Sequence, residues 1–199
     1  MTQHIHLIFG DFETAGLNPD VDPPFEFGCI SVDHTLEVVD RRRYLFKYPE
    51  AFLDQIRLTA WDGHERTGVW DDLYQAARAQ GAIESLDVIV CDPGEFDGLL
   101  CAFAHSRFTA KPHLAGFGPH FDLRYLRRYA PTFVERCISH QLRDVRTLAN
   151  ECRDRYNDWG PKPFGNHRAI NDCEAALAYL RWYRSHVMSP YNRARPKEL

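Results

Sequence analysis

The sequence lacks several features that would each point to a particular class of protein. It has no apolar run near the roughly 20 residues of a transmembrane helix, and its N-terminus has two histidines and an early acid where a secretory signal would be basic and then apolar. We therefore expect a cytoplasmic protein with no membrane partner. The six cysteines form no C-x-x-C pair, which argues against a zinc site or a redox motif and indicates reduced thiols in the core.

The chain also lacks a surplus of positive charge. Its 24 Lys and Arg against 28 Asp and Glu give a net charge of −4, which argues against binding long nucleic acid by bulk electrostatics. A nuclease is not excluded, because bound cations supply positive charge locally. With 199 residues, 44% of them hydrophobic, the chain can bury one substantial core. We expect one domain over residues 1–188 and a loosely held tail over residues 189–199.

The hydrophobic pattern predicts strands first and then alternating helices and strands. Strands are expected over residues 5–10, 26–32, 36–46, 88–91 and 113–117, and helices over residues 65–79, 95–106, 121–129, 145–156 and 170–186. This order predicts an α/β fold, in which a mixed β-sheet with an antiparallel edge and a parallel remainder is flanked by helices.

An acidic pair follows the first predicted strand. Side chains two residues apart on a strand share a face, so Asp11 and Glu13 would aim both carboxylates at one spot. Such hard oxygen ligands suit Mg²⁺ or Mn²⁺. A surface strand with two solvated acids gives the same pattern, so this pair alone does not decide between the two.

Two later segments carry further acids and a histidine. Asp122 follows a Gly/Pro turn between a strand and a helix, where α/β sheets place ligands, although an acid there also complements the helix dipole. His167 lies on a loop before the last long helix, and Asp172 lies in the first turns of that helix. Taken singly, these are ordinary features of a solvated loop and of a helix start.

Taken together, the three segments form a specific order: D-x-E on a first strand, F-D at a strand-to-helix junction, and H-x-x-x-x-D entering the last helix. This order resembles the DEDDh group of 3′→5′ exonucleases, which have an RNase H-like (DnaQ-like) fold. The run H-R-A-I-N-D from His167, the run D-V-R-T-L from Asp144, and the order of Trp61, His64 and T-G-V at 67–69 resemble oligoribonucleases. This similarity extends over most of the chain.

The resemblance implies a 3′→5′ exonuclease that hydrolyses short single-stranded oligonucleotides by a two-metal mechanism, with RNA favoured over DNA. Two Mg²⁺ or Mn²⁺ ions about 3.5–4 Å apart would stabilise charge on the attacking and leaving oxygens. His167 would be the general base, since an ordinary imidazole with a pKa of about 6.5 accepts a proton near neutral pH. A homodimer is implied as well. The implied metal ligands are Asp11, which would bridge the ions, Glu13, Asp122 and Asp172.

The resemblance also suggests substrate contacts. Leu17 is a candidate wedge against the terminal bases, or else a core residue. Trp61 and His64 are candidate base or sugar contacts, and Trp61 is equally well explained as a core aromatic.

Departures from the family pattern concern the part that caps the 5′ phosphate. Phe117 stands where oligoribonucleases have Asn, His140 and Gln141 stand where they have Tyr-Arg, and Arg146 stands where they have Ser. Arg146 either replaces the lost positive charge, because guanidinium binds phosphate, or is an exposed helical residue. Asp144 is in turn a candidate N-cap. A strict dinucleotide preference is therefore left open.

Two alternatives remain. A DNA-trimming or proofreading 3′→5′ exonuclease would use the same acids on a phosphate that both polymers share, and no residue is assigned to the 2′-hydroxyl. An inactive RNase H-like module that only binds nucleic acid would be expected to have lost acids, yet all four and the histidine are present.

Overall fold

The computed structural model describes residues 5–60, 62–78, 88–156, 160–161 and 166–188. The predicted tail, residues 189–199, and the predicted substrate contact Trp61 lie outside these ranges. In the described part of the chain, no helix has both the length and the apolar character needed to cross a membrane.

A single mixed sheet organises the described ranges. Its strands are β1 (Leu7–Thr14), β2 (Pro24–Val32), β3 (Val38–Phe46), β4 (Ile89–Cys91), β5 (His113–Gly116) and β6 (Leu142–Asp144). They lie in the order β4-β3-β2-β1-β5-β6. β2 is antiparallel to both β1 and β3, whereas the other three pairings are parallel. The mixed α/β sheet is confirmed, with its antiparallel strands in the interior, because β4 pairs in parallel outside β3.

Helices cover both faces of this sheet. They are α1 (Glu50–Arg57), α2 (Val69–Arg78), α3 (Phe96–Arg107), α4 (Pro119–Tyr129), α5 (Pro131–Arg136), α6 (Val145–Tyr156) and α7 (Ala169–Tyr183). A 3₁₀ turn over Asp62–Arg66 precedes α2, and a π turn over Arg184–Met188 follows α7.

The alternation of β1 divides its side chains between two cores. Leu7 and Phe9 pack in a cluster with residues of α7, whereas Ile8 and Phe12 pack on the other face with residues of α3 and α4. Phe12 lies 4.5 Å from Phe27 between ring centroids. Because side chains two apart share a face, the odd-numbered acids of β1 are directed to the α7 side.

β1 is longer than the sequence predicts. The predicted strand ends at residue 10, whereas the observed strand continues to Thr14 because β2 pairs along its whole length, with Asp11 opposite Gly28 and Glu13 opposite Glu26. The two acids therefore lie on a central strand, as predicted for the D-x-E pair.

Gly28 allows α7 to lie unusually close to the sheet. A Cβ atom at this position would lie 2.6 Å from the backbone of Ala169 and of Ile170. Only glycine permits such an approach. Cys173, one turn further along α7, directs its Sγ at the carbonyl oxygens of Phe9 and Gly28, at 3.5 and 3.4 Å. All six cysteines are free and five are buried, as the predicted core thiols require.

Candidate active site

The four predicted metal ligands come from three elements that meet at one end of the sheet. Asp11 and Glu13 lie on β1, Asp122 lies in the first turn of α4, and Asp172 lies in the first turn of α7. β1 and β5 are parallel, so their carboxyl ends share one edge, and the turn after β5 leads directly into α4. This is the edge at which α/β sheets place ligands.

Asp122 is fixed against β1 by the backbone. It is 3% exposed, and its Oδ1 accepts a hydrogen bond from the Phe12 amide at 2.9 Å. Gly118, with a φ of 81°, adopts the left-handed conformation that ends the turn, and Pro119 begins α4. Asp122 therefore joins the strand that carries the other acids, in addition to lying at the helix N-terminus.

Glu13, His167 and Asp172 form a compact group of potential ligands. One atom from each side chain lies within 4.8 Å of the others. Glu13 is buried, Asp172 is half-buried and His167 is exposed, so the group opens from the protein interior towards solvent. His167 has a φ of 55°, in the left-handed region.

The acidic cluster consists of Asp11, Glu13, Asp122 and Asp172. Burial and mutual repulsion oppose ionisation of its carboxyl groups. Burial raises the pKa of Asp11 well above its usual range, and the carboxylates of Asp122 and Glu13 raise it further. Burial, assisted by Asp172, raises the pKa of Glu13 to about 9, and burial raises that of Asp122 to about 7. Burial also raises the pKa of Asp172.

These four acids fit a site for divalent cations. Carboxylates crowded in a buried position repel one another, and a bound cation removes both the repulsion and the penalty for ionisation. Their oxygen donors, with the imidazole of His167 beside two of them, are a donor set that suits Mg²⁺ or Mn²⁺.

A cleft of about 500 Å³ opens beside the acids. One wall carries Phe117 and Phe121, and Arg146 of α6 lies at the same wall. The Arg146 guanidinium is 6.0 Å from the Phe117 ring centroid, and its Nη2 donates to the Phe117 carbonyl oxygen at 3.4 Å. Asp144 accepts the amides of Arg146 and Gly118, at 2.9 and 3.2 Å, so it caps α6 and ties that helix to the turn before α4.

Relatives of this chain have oligoribonuclease names. It is 24% identical over 189 residues to the mitochondrial oligoribonuclease of Bos taurus, which covers 91% of this chain and 73% of that protein. It is 28% identical over 192 residues to the oligoribonuclease of Chromobacterium violaceum, with 92% and 96% covered. The predicted resemblance to oligoribonucleases is confirmed. No family model matches the chain.

Solved structures of E. coli exonuclease I have a similar fold. The complex of that enzyme with a 5cy-dT13 oligonucleotide gives a TM-score of 0.65 at 14% identity and covers 96% of this chain. The zinc-bound complex with single-stranded DNA gives a TM-score of 0.64 at 18% identity. This chain spans about 43% of these exonuclease I chains. The neighbours confirm the predicted RNase H-like exonuclease fold.

The residues that the oligoribonuclease resemblance suggests as substrate contacts differ in exposure and in their distance from the cleft. Leu17 is 76% exposed on the loop after β1, which excludes the alternative that it is a core residue. Arg146 lies at the cleft. His64 is only 4% exposed, with Nε2 bonded to the Thr14 carbonyl oxygen at 3.0 Å and Nδ1 3.7 Å from Glu13 Oε2. His64 is therefore a buried neighbour of Glu13, and burial lowers the pKa of His64.

His140 is not brought to the acidic cluster. It is exposed and lines a separate cavity together with Lys111 and Arg127. This predicted substrate contact therefore lies on a different surface of the chain from the four acids.

A charged network behind the acids was not predicted from the sequence. Glu26 lies opposite Glu13 in the sheet and is fully buried, and Arg168 immediately follows His167. Arg168 forms an ion pair with Glu26 although the two are 142 residues apart in the chain. The sequence places Glu26 within a predicted strand. A buried acid requires a cationic partner, but the sequence does not identify that partner.

Proposed function

We propose that this protein is a metal-dependent 3′→5′ exonuclease that hydrolyses phosphodiester bonds of short single-stranded oligonucleotides, with RNA favoured. The observation that carries the proposal is the meeting of four acids from β1, α4 and α7 beside an exposed histidine. The oligoribonuclease relatives support the same reaction and the preference for short RNA.

The four acids would hold two divalent cations, Mg²⁺ or Mn²⁺. When bound, these ions supply positive charge at the scissile phosphate and lower the pKa of a water molecule. Asp122 keeps its orientation through the Phe12 amide, and the backbone of Glu13 is held by pairing with β2. The ligands are thus fixed before substrate arrives, which is what precise positioning of a phosphate requires.

His167 would act as the general base. Its imidazole is exposed at the mouth of the acidic group, where it can accept a proton from the attacking water and release it to solvent.

The cleft would hold the nucleotides next to the scissile bond. Phe117 and Phe121 offer aromatic surfaces on which bases of any sequence can stack, and Arg146 offers a guanidinium for a phosphate. Leu17, exposed on the neighbouring loop, would separate the terminal bases. The volume of the cleft is in the range of a pocket for one small ligand, which suits short oligomers.

A DNA-trimming 3′→5′ exonuclease is the second candidate. The exonuclease I structures that share the fold hold single-stranded DNA, and the aromatic wall of the cleft does not distinguish the two sugars. A module that binds without cleaving would have no use for four acids gathered at one site.

The decisive assay uses 5′-labelled RNA and DNA ladders, from two nucleotides upward, with Mg²⁺ or Mn²⁺. We expect stepwise shortening from the 3′ end, faster for short RNA than for long RNA or for DNA, and no shortening by Asp11→Asn. Equal rates on RNA and DNA would favour the second candidate. Intact ladders in every lane would exclude both.

The role of His167 is tested separately. Replacing a general base removes an interaction made in the transition state, so His167→Ala should lower kcat while Mn²⁺ binding to the protein, measured by calorimetry, is retained. Loss of Mn²⁺ binding would make His167 a ligand instead.

Three further proposals concern the assembly, the location and the domain bounds of the protein. We infer that the protein is a homodimer, that it acts in the cytoplasm, and that residues 1–188 form the exonuclease domain with residues 189–199 as a tail. Sedimentation velocity measures the first, localisation of the tagged protein the second, and activity after removal of residues 189–199 the third.

A further inference from the structure

A network of four charged side chains, fully buried at Glu26 and partly buried at Arg43, Arg168 and Asp72, lies directly behind the acidic cluster. Glu26 of β2 is the cross-strand neighbour of Glu13, so the two carboxyl groups share a face of the sheet. Arg43 of β3 and Arg168 each form an ion pair with Glu26, at a nitrogen–oxygen distance of 3.0 Å in both cases. Both guanidinium groups also bond Asp72 of α2.

The network neutralises the buried carboxylate of Glu26. Glu26 has no exposed side-chain surface, and an unpaired carboxylate there would face the Glu13 carboxylate across neighbouring strands. Two guanidinium groups and two carboxylates balance the charge within the network. A bidentate guanidinium suits this position because its planar donors can serve two acids at once.

Arg168 differs from Arg43 in the contacts of its side chain and of its backbone carbonyl group. Its Nη1 also donates to the Thr67 carbonyl oxygen at 3.0 Å, so one side chain joins β2, α2 and the turn before α2. Its own carbonyl oxygen accepts the amides of Asn171 and Asp172, at 2.9 and 3.1 Å, and thus begins α7. Arg43 binds the same acids from the middle of β3, where the sheet holds its backbone.

The backbone before Arg168 requires support. His167 has a φ of 55°, a conformation that is unfavourable for a residue with a Cβ and that persists only where neighbouring structure holds it. The next residue is the one whose side chain is clamped on the sheet and on α2. The anchor and the strained histidine are therefore adjacent in the chain.

We propose that Arg168 is a positioning residue for His167. With its guanidinium clamped between Glu26 and Asp72, Arg168 fixes the backbone from His167 to Asp172 and so directs the imidazole at the acidic group. This inference rests on the proposed function, in which His167 is the general base. Arg43 shares the charge balance of the network but not the positioning role.

Arg43 provides a matched control, because Arg168→Met and Arg43→Met each remove one guanidinium from the same two acids. With short RNA, we expect Arg168→Met to lower kcat roughly 10- to 100-fold, the cost of a misplaced catalytic group, with KM changed by less than about twofold. Arg43→Met should lower kcat by less than about threefold, because the loop stays anchored. Equal losses in the two variants would overturn the proposal and assign the effect to charge.

A double variant separates positioning from a general effect on the acids. If Arg168 acts mainly through His167, Arg168→Met should cause a much smaller loss of activity in a His167→Ala background than in the wild-type background. A further loss as large as in the wild-type background would overturn the proposal.

Hydrogen exchange provides a readout that does not depend on activity. The Asn171 and Asp172 amides should exchange faster in Arg168→Met and at the wild-type rate in Arg43→Met. Unchanged exchange in Arg168→Met would overturn the proposal, whereas an inactive wild-type enzyme would instead count against the proposed function. If the methionine variants do not fold, Arg168→Lys and Arg43→Lys give the same comparison, because lysine keeps the charge but cannot serve two acids as a fork.

Discussion

Two exposed residues near the site allow a role in substrate binding to be separated from an effect on the stability of the protein. Leu17 and Val21 are 76% and 74% exposed on the same loop between β1 and β2. Truncation of either should leave the thermal unfolding temperature nearly unchanged, because little buried surface is lost.

If Leu17 separates the terminal bases, Leu17→Ala should lower kcat/KM on short RNA by about fivefold or more, on the scale of a single base contact. Val21→Ala is the control and should retain wild-type kcat/KM. The wedge assignment would be abandoned if steady-state kinetics gave the same value for both variants.

Asp122 combines a structural and a chemical role that two substitutions can separate. Asp122→Asn keeps an oxygen that accepts the Phe12 amide, whereas Asp122→Ala leaves this buried donor unpaired. Both should lose activity by more than the roughly 10- to 100-fold that loss of an outer partner of a metal ligand causes. In urea unfolding without metal, only Asp122→Ala should be destabilised, by about 1–3 kcal/mol. Equal destabilisation by both would show that the hydrogen bond is not what stabilises this junction.

At the scale of elements, the contact between β2 and α7 sets the position of Asp172. Gly28→Ala would place a Cβ 2.6 Å from the backbone at the start of α7 and force the helix away from the sheet. We expect a loss of about 1–3 kcal/mol in urea unfolding, as in other overpacked cores, together with reduced activity.

Gly98→Ala in α3 is the matched control for this substitution. A Cβ there has no atom within 4 Å, and alanine in a helix stabilises by about 0.4–1 kcal/mol through the unfolded state. Destabilisation by Gly98→Ala, or wild-type stability of Gly28→Ala, would contradict the steric account.

The elements also differ in how far the sequence predicts them. α6 has the predicted bounds, because twelve residues are long enough for a helical period to appear. α1, α5 and β6 are not predicted, since they have eight, six and three residues and their type is decided by what they pack against. The four acids could be predicted from their order, whereas the link from Glu26 to Arg168 could not, because it exists only once β2 and α7 are packed together.

For the molecule as a whole, the acidic cluster predicts an unusual dependence of stability on pH. An acid whose pKa is raised on folding stays protonated in the folded state after the unfolded chain has lost that proton. For Glu13 this interval runs from the ordinary value of 4.5 to about 9, so the metal-free protein should lose stability as the pH rises through it.

The measurement is urea unfolding in the presence of a chelator between about pH 6.5 and about pH 8. In this range the contribution of Glu13 to the free energy of unfolding should fall most steeply with pH. Glu13→Gln should flatten the decline, and added Mn²⁺ should oppose it, because a bound cation favours the ionised acids. Stability that rises with pH in the chelated wild-type protein would contradict the assignment.

The acids that meet at one edge of the sheet are drawn from both ends of the described chain, with Asp11 on its first strand and Asp172 on its last long helix. A polypeptide still on the ribosome carries the first pair of acids before it gains His167 and the last acid. Unfinished or prematurely terminated chains that stop before α7 therefore lack a complete site.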